Sequence, residues 1–320
     1  MDIAETYRER NVLVTGAAGF IGSHLVDGLV AAGARVRCLD DLSAGRMANL
    51  DASAGRIEFH LGSVLDSELL RRALDGCDFV FHLAANASVP RSSADPLYDF
   101  NANVTGTFRV IDAVRRRSRG RVVFASSAAV YGEPLDGPMD EDHPLRPQSP
   151  YGGSKLAAEF LLAAHGRCYD LDVRRVRIFN TYGPRQRRYV MYDLLEKLRS
   201  DPTRLEVIGT GDQERDYNYV ADTVQALMLV GAHPDAHGGV YNVAGGRPVS
   251  IRSLVPLLLQ EVQIPPPVVT YTQSSWRGDV ARMIGAIERL ASLGYAPRHD
   301  LRDGLRRLVA WHRAEFSPPW

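Results

Sequence analysis

Short apolar runs alternate with longer amphipathic segments through the first 180 residues of the chain. The apolar runs occupy residues 11–15, 35–40, 57–61, 79–84, 121–126 and 173–179. Between them, at about residues 22–32, 66–74, 101–116 and 151–169, apolar side chains recur at i, i+3, i+4 and i+7, the spacing of one helix face. Continuous apolar strands separated by helices predict an α/β fold with a doubly wound parallel sheet, the Rossmann architecture.

The rhythm changes after residue 182. A stretch rich in glycine, proline and arginine leads to a predicted helix near residues 190–200. A run at 205–211, a segment at 215–220, a helix from 221 and a last helix at about 301–315 follow. These pieces predict a smaller α/β lobe interleaved with the first domain. We expect residues 1–180, with a return segment at about 216–245, to form the Rossmann domain, and residues 181–215 and 246–320 to form the second lobe.

The charge balance narrows the classes of partner. Lysine plus arginine and aspartate plus glutamate each total 38, so no overall field attracts nucleic acid or an anionic membrane. The three cysteines form no C-x-x-C pair or His/Cys cluster, which argues against a disulfide framework or a metal site. No apolar run approaches the roughly 18 residues of a membrane span. We expect a cytoplasmic protein with no metal, membrane or nucleic-acid partner.

Three glycines, Gly16, Gly19 and Gly22, separate the first predicted strand from the first predicted helix. Glycines at such a turn let the backbone approach a pyrophosphate closely, and the N–H groups of the helix N-terminus then bind its charge. Asp40 ends the second strand, where a carboxylate accepts both ribose hydroxyl protons and repels a 2′-phosphate. The turn therefore predicts NAD rather than NADP, with Asp41 as the alternative ribose ligand.

A tyrosine and a lysine four residues apart, Tyr151 and Lys155, share one face of a predicted helix. A tyrosine with an ordinary pKa of about 10 needs about 4 kcal/mol of phenolate stabilisation to act as a base near pH 7. We expect the lysine ammonium and a positively charged nicotinamide to supply it. Ser126 and Ser127 end the preceding strand, at the edge where doubly wound sheets bind ligands. The set predicts an enzyme that transfers hydride at an alcohol carbon.

Together these residues resemble the extended short-chain dehydrogenase/reductase superfamily, specifically its nucleotide-sugar epimerase/dehydratase branch, and within it the UDP-sugar 4-epimerases. The resemblance rests on the glycine turn, the Ser/Tyr/Lys set and four further segments, at residues 80–85, 103–107, 177–184 and 215–217. It implies that Ser127, Tyr151 and Lys155 are the catalytic residues and that NAD is the cofactor.

The resemblance also implies that the first domain binds NAD and the second lobe binds the nucleotide sugar. The implied cofactor-binding residues are Gly16, Gly19, Phe20, Ile21, Gly22, Asp40, Asp41, Ser43, Gly45, Ser63, Val64, Leu83, Ala84, Ala85, Asn103, Tyr151 and Lys155. The implied substrate-binding residues are Ser88, Arg91, Ser126, Ser127, Asn180, Arg185, Val207, Arg215 and Arg277. Two positions depart from the family pattern: Ser63 stands where an aspartate near the adenine is usual, and Arg277 lies one residue closer than usual to the following Gly-Asp.

The residues after Ser127 favour one chemistry over its relatives. Nucleotide-sugar dehydratases of this branch carry an acidic pair there and decarboxylases carry a glutamate, whereas this chain has Ala128 and Ala129, which move no proton. We therefore predict C4 epimerisation of a UDP-sugar through a transient 4-keto sugar, in the UDP-glucose, UDP-N-acetylglucosamine or UDP-glucuronate class. The alternatives are a 4,6-dehydratase, decarboxylase or reductase with its acid elsewhere, and a non-catalytic NAD-binding sensor or scaffold.

Two features stay open from the sequence alone. The helices at 101–116 and 151–169 resemble those that pair in related homodimers, so a homodimer is expected, although Phe160, Leu161 and Ala164 suit a core as well as an interface. The arginine-rich loop from Arg185 to Arg188 suits a carboxylate, a diphosphate or water.

Overall fold

The computed structural model describes residues 2–117, 120–135, 137–274 and 280–318, and it confirms the predicted α/β architecture. Within these ranges the strands, in chain order, are β1 (Asn11–Thr15), β2 (Arg35–Asp40), β3 (Ile57–Leu61), β4 (Phe79–His82), β5 (Arg121–Ser127), β6 (Val173–Ile178), β7 (Asn180–Tyr182), β8 (Arg204–Val207), β9 (Glu214–Tyr219), β10 (Val240–Val243), β11 (Pro248–Ser250), β12 (Val268–Tyr271) and β13 (Arg282–Met283). The α-helices are α1 (Ile3–Tyr7), α2 (Phe20–Ala31), α3 (Ser67–Leu74), α4 (Val89–Ala94), α5 (Pro96–Phe100), α6 (Gly106–Arg117), α7 (Pro150–Tyr169), α8 (Val190–Ser200), α9 (Val220–Ala232), α10 (Ile251–Val262), α11 (Glu288–Ala291) and α12 (Leu301–Phe316).

The large sheet is parallel throughout and has the strand order β3-β2-β1-β4-β5-β6-β10. After β3 the chain returns past β1 and adds β4 on its other side. The connections that leave β1 and β4 therefore diverge, and such a reversal of strand order opens a crevice at the carboxyl edge of the sheet. The glycine turn after β1 and the loop after β4 lie on the two sides of this crevice.

Helices cover both faces of the large sheet. Because side chains alternate along a strand, Val122 and Phe124 of β5 belong to the core beneath α3, α6 and α7, whereas Val123 belongs to the core beneath α1, α2 and α9. This double burial is what the continuous apolar strands predicted.

The start of α7 is set by local sequence. The Ser149 hydroxyl accepts a 3.1 Å hydrogen bond from the Gly152 N–H, and Pro150 occupies the first turn, where its missing N–H costs nothing. Tyr151 consequently lies in the first turn of α7 and Lys155 one turn further along the helix. Both residues stand beside the end of β5.

The smaller lobe begins where the chain leaves β6, since only Phe179 separates β6 from β7. Strand β9 pairs with β7, β11 and β13, and β8 pairs with β12. Leu195 of α8, Leu254 of α10 and Leu305 of α12 share the core of this lobe. Helix α9 and strand β10 then belong to the large sheet's layers again, so the two parts of the chain are interleaved.

The predicted strands at 11–15, 35–40 and 57–61 match the structure residue for residue, and other elements differ for identifiable reasons. Strand β4 ends at His82, and the Ala84 N–H donates to the Thr15 hydroxyl at 3.2 Å. The helix predicted over 101–116 begins as a π-helical turn, Asn101–Thr105. Helices α4 and α5 were not predicted because they are too short for a helical spacing of apolar residues to be visible in the sequence. Helix α10 was not predicted because it contains Pro256, and proline usually interrupts a helix. Among the described residues, no helix has the combined length and apolar character that crossing a membrane requires.

Candidate active site

The glycine turn at Gly16, Gly19 and Gly22 forms a cradle of backbone atoms that is too tight for larger residues. A Cβ at Gly22 would overlap the Gly16 carbonyl oxygen, and a Cβ at Gly16, whose φ is 70°, would lie 2.7 Å from the Ala84 nitrogen. Glycine is therefore required at both positions by contact and, at Gly16, by the left-handed backbone. Gly19 caps α2 without a side-chain hydrogen bond. The first-turn N–H groups of this twelve-residue helix thus face the crevice uncapped, as an anion-binding helix N-terminus requires.

The two acids after β2 have different surroundings. The buried Asp40 carboxylate accepts hydrogen bonds from the Ala18 N–H at 2.9 Å and the Leu42 N–H at 2.8 Å. Burial raises the pKa of Asp40, and these two bonds oppose that rise. Asp41 is exposed and accepts from the N–H and hydroxyl of Ser43. Asp40 therefore holds the glycine turn, and the choice between the two acids as ribose ligand stays a prediction.

Other residues of the predicted cofactor set divide between the crevice and the interior. Ser63, at the end of β3, accepts a hydrogen bond from the Leu65 N–H at 3.2 Å. Leu83, Ala84 and Ala85 follow β4 beside the glycine turn, as expected. The side chain of Val64 is buried in the core with α3 and α6, where Gly106 leaves room for it, so only its backbone remains for the predicted contact with the cofactor. Phe20 and Ile21 pack with their side chains against the core of the smaller lobe, so only their backbone remains for a ligand.

Ser127 and Tyr151 meet at the mouth of the crevice. The Ser127 side chain lies close enough to the Tyr151 phenol to lower its pKa, and the Ser127 Oγ accepts a 3.2 Å hydrogen bond from the Ala129 N–H. Burial has the larger effect, and the pKa of Tyr151 is raised above its ordinary value in the chain alone. A base at this position therefore needs further positive charge beside the phenol.

Lys155 corrects one expectation from the sequence. Its ammonium donates a 2.9 Å hydrogen bond to the carbonyl of Ala125 and lies 4.8 Å from the centre of the Phe124 ring. The side chain is only 3 % exposed, and burial lowers the pKa of Lys155 to about 8, against the favourable charges of Asp99 and Glu159. The ammonium is thus held by the strand that carries Ser127, and its charge does not bring the pKa of Tyr151 below the ordinary value.

Asn103 is a positioning residue for this corner of the crevice. Within the π-helical turn its side chain accepts from the Asn86 N–H at 2.8 Å and donates to Ser154 Oγ at 2.9 Å and to Asp99 Oδ1 at 3.0 Å. Asn103 is buried, so it connects the loop after β4 to α7 from inside the protein. Sequence reasoning missed Asp99, whose only signal is its position four residues before Asn103, on the same helical face.

Ser126 is a second correction. Its hydroxyl donates to the Glu159 carboxylate, which forms a buried ion pair with Arg177 at 2.8 Å. The Ser126 side chain points to the α7 side of the sheet and the residue is 4 % exposed. It therefore supports the core behind the site and does not face a substrate.

The side chains of three predicted substrate residues contact other parts of the protein. The Arg185 guanidinium forms a 2.8 Å ion pair with Asp27 of α2. Arg91 stacks on Tyr98, with its guanidinium carbon 3.7 Å from the ring centre. Val207 is fully buried in the core of the smaller lobe, so its side chain offers no surface to a nucleotide base. These contacts argue against a role of the three side chains in substrate binding, and their assignment stays a prediction.

The remaining substrate candidates stay near the crevice. The Ser88 hydroxyl caps α4 by accepting from the Arg91 N–H at 3.3 Å. Arg215 donates to the Glu214 carbonyl at 2.9 Å. The Asn180 Nδ2 group is buried and finds no hydrogen-bond partner in the described part of the chain, which is a feature of ligand sites. Arg277 lies outside the described residues.

The comparisons agree with this geometry. The family model "NAD dependent epimerase/dehydratase family" matches residues 12–244. This chain belongs to that family.

Relatives of the family resemble the chain over almost its whole length. The UDP-glucose 4-epimerase of Mycolicibacterium smegmatis is 37 % identical over 310 residues, covering 94 % of this chain and 98 % of the relative. The dTDP-glucose 4,6-dehydratase of Streptomyces griseus is 38 % identical, covering 96 % of each chain. Among solved structures, the UDP-N-acetylglucosamine 4-epimerase of Methanobrevibacter ruminantium M1, in complex with UDP-N-acetylmuramic acid, superposes with a TM-score of 0.90 at 32 % identity, covering 96 % of this chain and 99 % of that one.

NAD is the cofactor of this family, and the residues present fit it. At Gly16 and Gly22 a Cβ would collide with neighbouring backbone atoms, so the turn can form only with glycine at these positions. The uncapped N-terminus of α2 suits a pyrophosphate. The acids at the end of β2 suit a ribose diol. These features were visible in the sequence, whereas the roles of Asp99 and Ser126 were not.

Proposed function

We propose that this chain inverts C4 of a UDP-sugar, in the UDP-glucose, UDP-N-acetylglucosamine or UDP-glucuronate class. The observation that carries the proposal is that Ser127, at the end of β5, and Tyr151, in the first turn of α7, lie next to each other, where the Ser127 side chain lowers the pKa of the phenol. This pair offers a proton acceptor and an orienting hydroxyl at one point, which redox chemistry at an alcohol carbon requires.

Each residue has a distinct part in the proposed reaction. Bound NAD would accept the hydride of C4 and return it to the opposite face once the 4-keto sugar has turned over in the site, which would invert C4 and regenerate the cofactor. Tyr151 takes the proton of the C4 hydroxyl and gives it back, while Ser127 orients the same oxygen. Lys155 keeps a positive charge at the end of β5, and Asn103 fixes the loop after β4 relative to α7.

The nearest rival is a 4,6-dehydratase, a chemistry named for the Streptomyces relative. Elimination of water across C5 and C6 needs an acid and a base next to Ser127. In this chain Ala128 and Ala129 form the turn after β5, and neither moves a proton. Epimerisation needs only the residues present, so we favour it.

For the nucleotide end of the substrate we propose Asn180 and Arg215, with Arg277 as a further candidate. The unpartnered Asn180 amide supports a hydrogen bond to a diphosphate oxygen, and a guanidinium binds phosphate through paired hydrogen bonds. Ser88 is proposed for the sugar, from the loop after β4.

The test compares two tyrosine variants of the same helix. Tyr151→Phe removes the proposed base, and Tyr169→Phe makes the same change at the exposed end of α7. With UDP-glucose, UDP-N-acetylglucosamine and UDP-glucuronate, NMR of the products should show C4 inversion by the wild type and by Tyr169→Phe. Tyr151→Phe should retain NAD and lose turnover by about 100-fold or more, the usual range for general acid–base catalysis.

Three results would contradict the proposal. Accumulation of a 4-keto-6-deoxy sugar would indicate a dehydratase. Turnover by Tyr151→Phe near the wild-type rate would remove the phenol from the mechanism. A wild-type protein that holds NAD and converts none of the three sugars would favour a non-catalytic sensor or scaffold.

We further propose a cytoplasmic homodimer. Phe108, Phe160 and Ala164 are exposed on α6 and α7, with Phe160 59 % exposed, while Leu161 packs partly into the core. Exposed aromatic side chains on two adjacent helices are characteristic of a subunit interface. Phe160→Asp should convert a dimer to a monomer in light scattering. The cysteines are free thiols, which suits a reducing compartment.

A further inference from the structure

Three arginines follow Pro184 in the loop between β7 and α8, and two of them have structural partners. Arg185 is paired with Asp27 of α2 at 2.8 Å. Arg187 is paired with Glu315 of α12, and its guanidinium lies 4.8 Å from the centre of the Phe316 ring. Both guanidinium groups therefore fix the loop to neighbouring helices.

Arg188 differs from its neighbours. It is exposed, and among the described residues no carboxylate pairs with it. Its position is nevertheless fixed on both sides, by Arg187 and by Tyr189. The Tyr189 hydroxyl donates a 2.7 Å hydrogen bond to the Ala87 carbonyl, across the crevice in the loop after β4. An exposed cation on an anchored loop is a ready binding site for an anion.

Arg188 lies in the neighbourhood of the Tyr151 phenol. Tyr189 contacts the loop after β4 at Ala87, and in α4, which follows that loop, the Ser92 hydroxyl accepts from the Tyr151 N–H at 3.1 Å. The charge of Arg188 also acts on the Tyr151 phenol, where it lowers the pKa. If Tyr151 receives the C4 hydroxyl, the substituent on C5 is the neighbouring group of the sugar. C1, which carries the diphosphate, lies across the pyranose ring from C4, and Asn180 is the contact proposed above for that end of the substrate.

We infer that Arg188 binds a carboxylate on C5, and that the preferred substrate is a UDP-hexuronate. The inference rests on the proposed C4 epimerase function and selects one of its substrate classes. A neutral hydroxymethyl group would leave the guanidinium with water alone, whereas a carboxylate accepts paired hydrogen bonds from it. Arg188 is thereby a specificity-determining residue.

The experiment uses two substrates that differ only at C6, UDP-glucuronate and UDP-glucose. The wild-type holoenzyme should show the higher kcat/KM for UDP-glucuronate. Arg188→Gln should lower the ratio of the two kcat/KM values by about 10- to 100-fold, the range for losing one charged hydrogen-bonded partner. Arg188→Lys should restore part of the ratio, because it keeps the charge without the planar fork.

Arg204→Gln is the matched control, since it removes an exposed positive charge from the same lobe, at the start of β8. Its ratio should equal that of the wild type, and NAD content with thermal unfolding checks that each variant is folded. An Arg188→Gln variant that slows both substrates equally, or a wild type without preference for UDP-glucuronate, would overturn the inference and leave the epimerase proposal standing. A wild type that inverts no UDP-sugar would overturn both.

Discussion

The Lys155 ammonium donates a hydrogen bond of 2.9 Å to the carbonyl oxygen of Ala125. This bond joins α7 to β5 two residues before Ser127, so the lysine fixes the strand end that presents the serine. The group is buried, and its protonated form is therefore costly in the folded protein. Its contribution to stability should depend on pH.

Lys155→Met isolates that dependence. The folded pKa of about 8 lies below the ordinary value of 10.5, so between these values the unfolded chain binds more protons than the folded chain. The wild type should therefore gain stability relative to the variant as pH rises from about 8 to 10.5, by about 3 kcal/mol in total, with a constant difference below pH 8. Urea unfolding of both proteins from pH 6.5 to 10.5 measures it. A difference that stays flat above pH 8 would contradict the assignment.

Two helical glycines should respond oppositely to the same substitution. Gly22→Ala places a Cβ against the Gly16 carbonyl, so we expect loss of NAD from the purified protein and a marked fall in the free energy of unfolding. Gly153→Ala meets no atom within 4 Å and should stabilise the protein by about 0.5–1 kcal/mol through helix propensity. Absorbance for bound NAD and urea unfolding give both values. An alanine tolerated at 22 without loss of NAD would refute the cradle.

The buried pair of Glu159 and Arg177 should be sensitive to loss of one charge. Glu159→Gln keeps the shape of the side chain and its contact with Ser126, and it leaves the Arg177 guanidinium without its carboxylate partner. We expect the free energy of unfolding to fall by about 3–5 kcal/mol. Glu68→Gln, which removes an exposed partner of Arg71 on α3, should change it by less than about 1 kcal/mol. Equal effects of the two variants would show that burial of the first pair is unimportant.

The structural roles of Asp40 and Asp41 can be distinguished by the free energy of unfolding of their asparagine variants. Asp40→Asn disturbs two backbone hydrogen bonds of a buried carboxylate and should cost about 1–3 kcal/mol. Asp41→Asn alters an exposed turn and should stay within about 0.5 kcal/mol. The variant that loses NAD or gains affinity for NADP identifies the ribose ligand. Equal destabilisation by both would contradict the different surroundings of the two carboxylates.

Much of the fold and of the cofactor site could be predicted from local sequence. The bounds of the three strands between residues 11 and 61 followed from short runs of apolar and β-branched residues, which are continuous in the buried strand β1 and interrupted by polar residues in β2 and β3 toward the edge of the sheet. The positions of Gly16 and Gly22 followed from a turn that excludes any Cβ. Tyr151 lies in the first turn of α7 because Ser149 and Pro150 start the helix there. Each of these depends on residues close together in the chain.

Pairings between distant segments were beyond the sequence. Ser126 and Ser127 are chemically identical neighbours, and the two-residue period of a strand sends them to opposite sides. Which serine meets Glu159 and which meets Tyr151 depends on how α7 packs against β5. Likewise Arg187 and Arg188 are equivalent in sequence, yet within the described part of the chain Arg187 pairs with a carboxylate, at the C-terminal helix, and Arg188 does not. The sequence determined the kinds of chemical group and the turns that carry them. Only the tertiary structure decided which groups are consumed by internal partners and which remain for a ligand, because those partners come from segments more than 20 residues away.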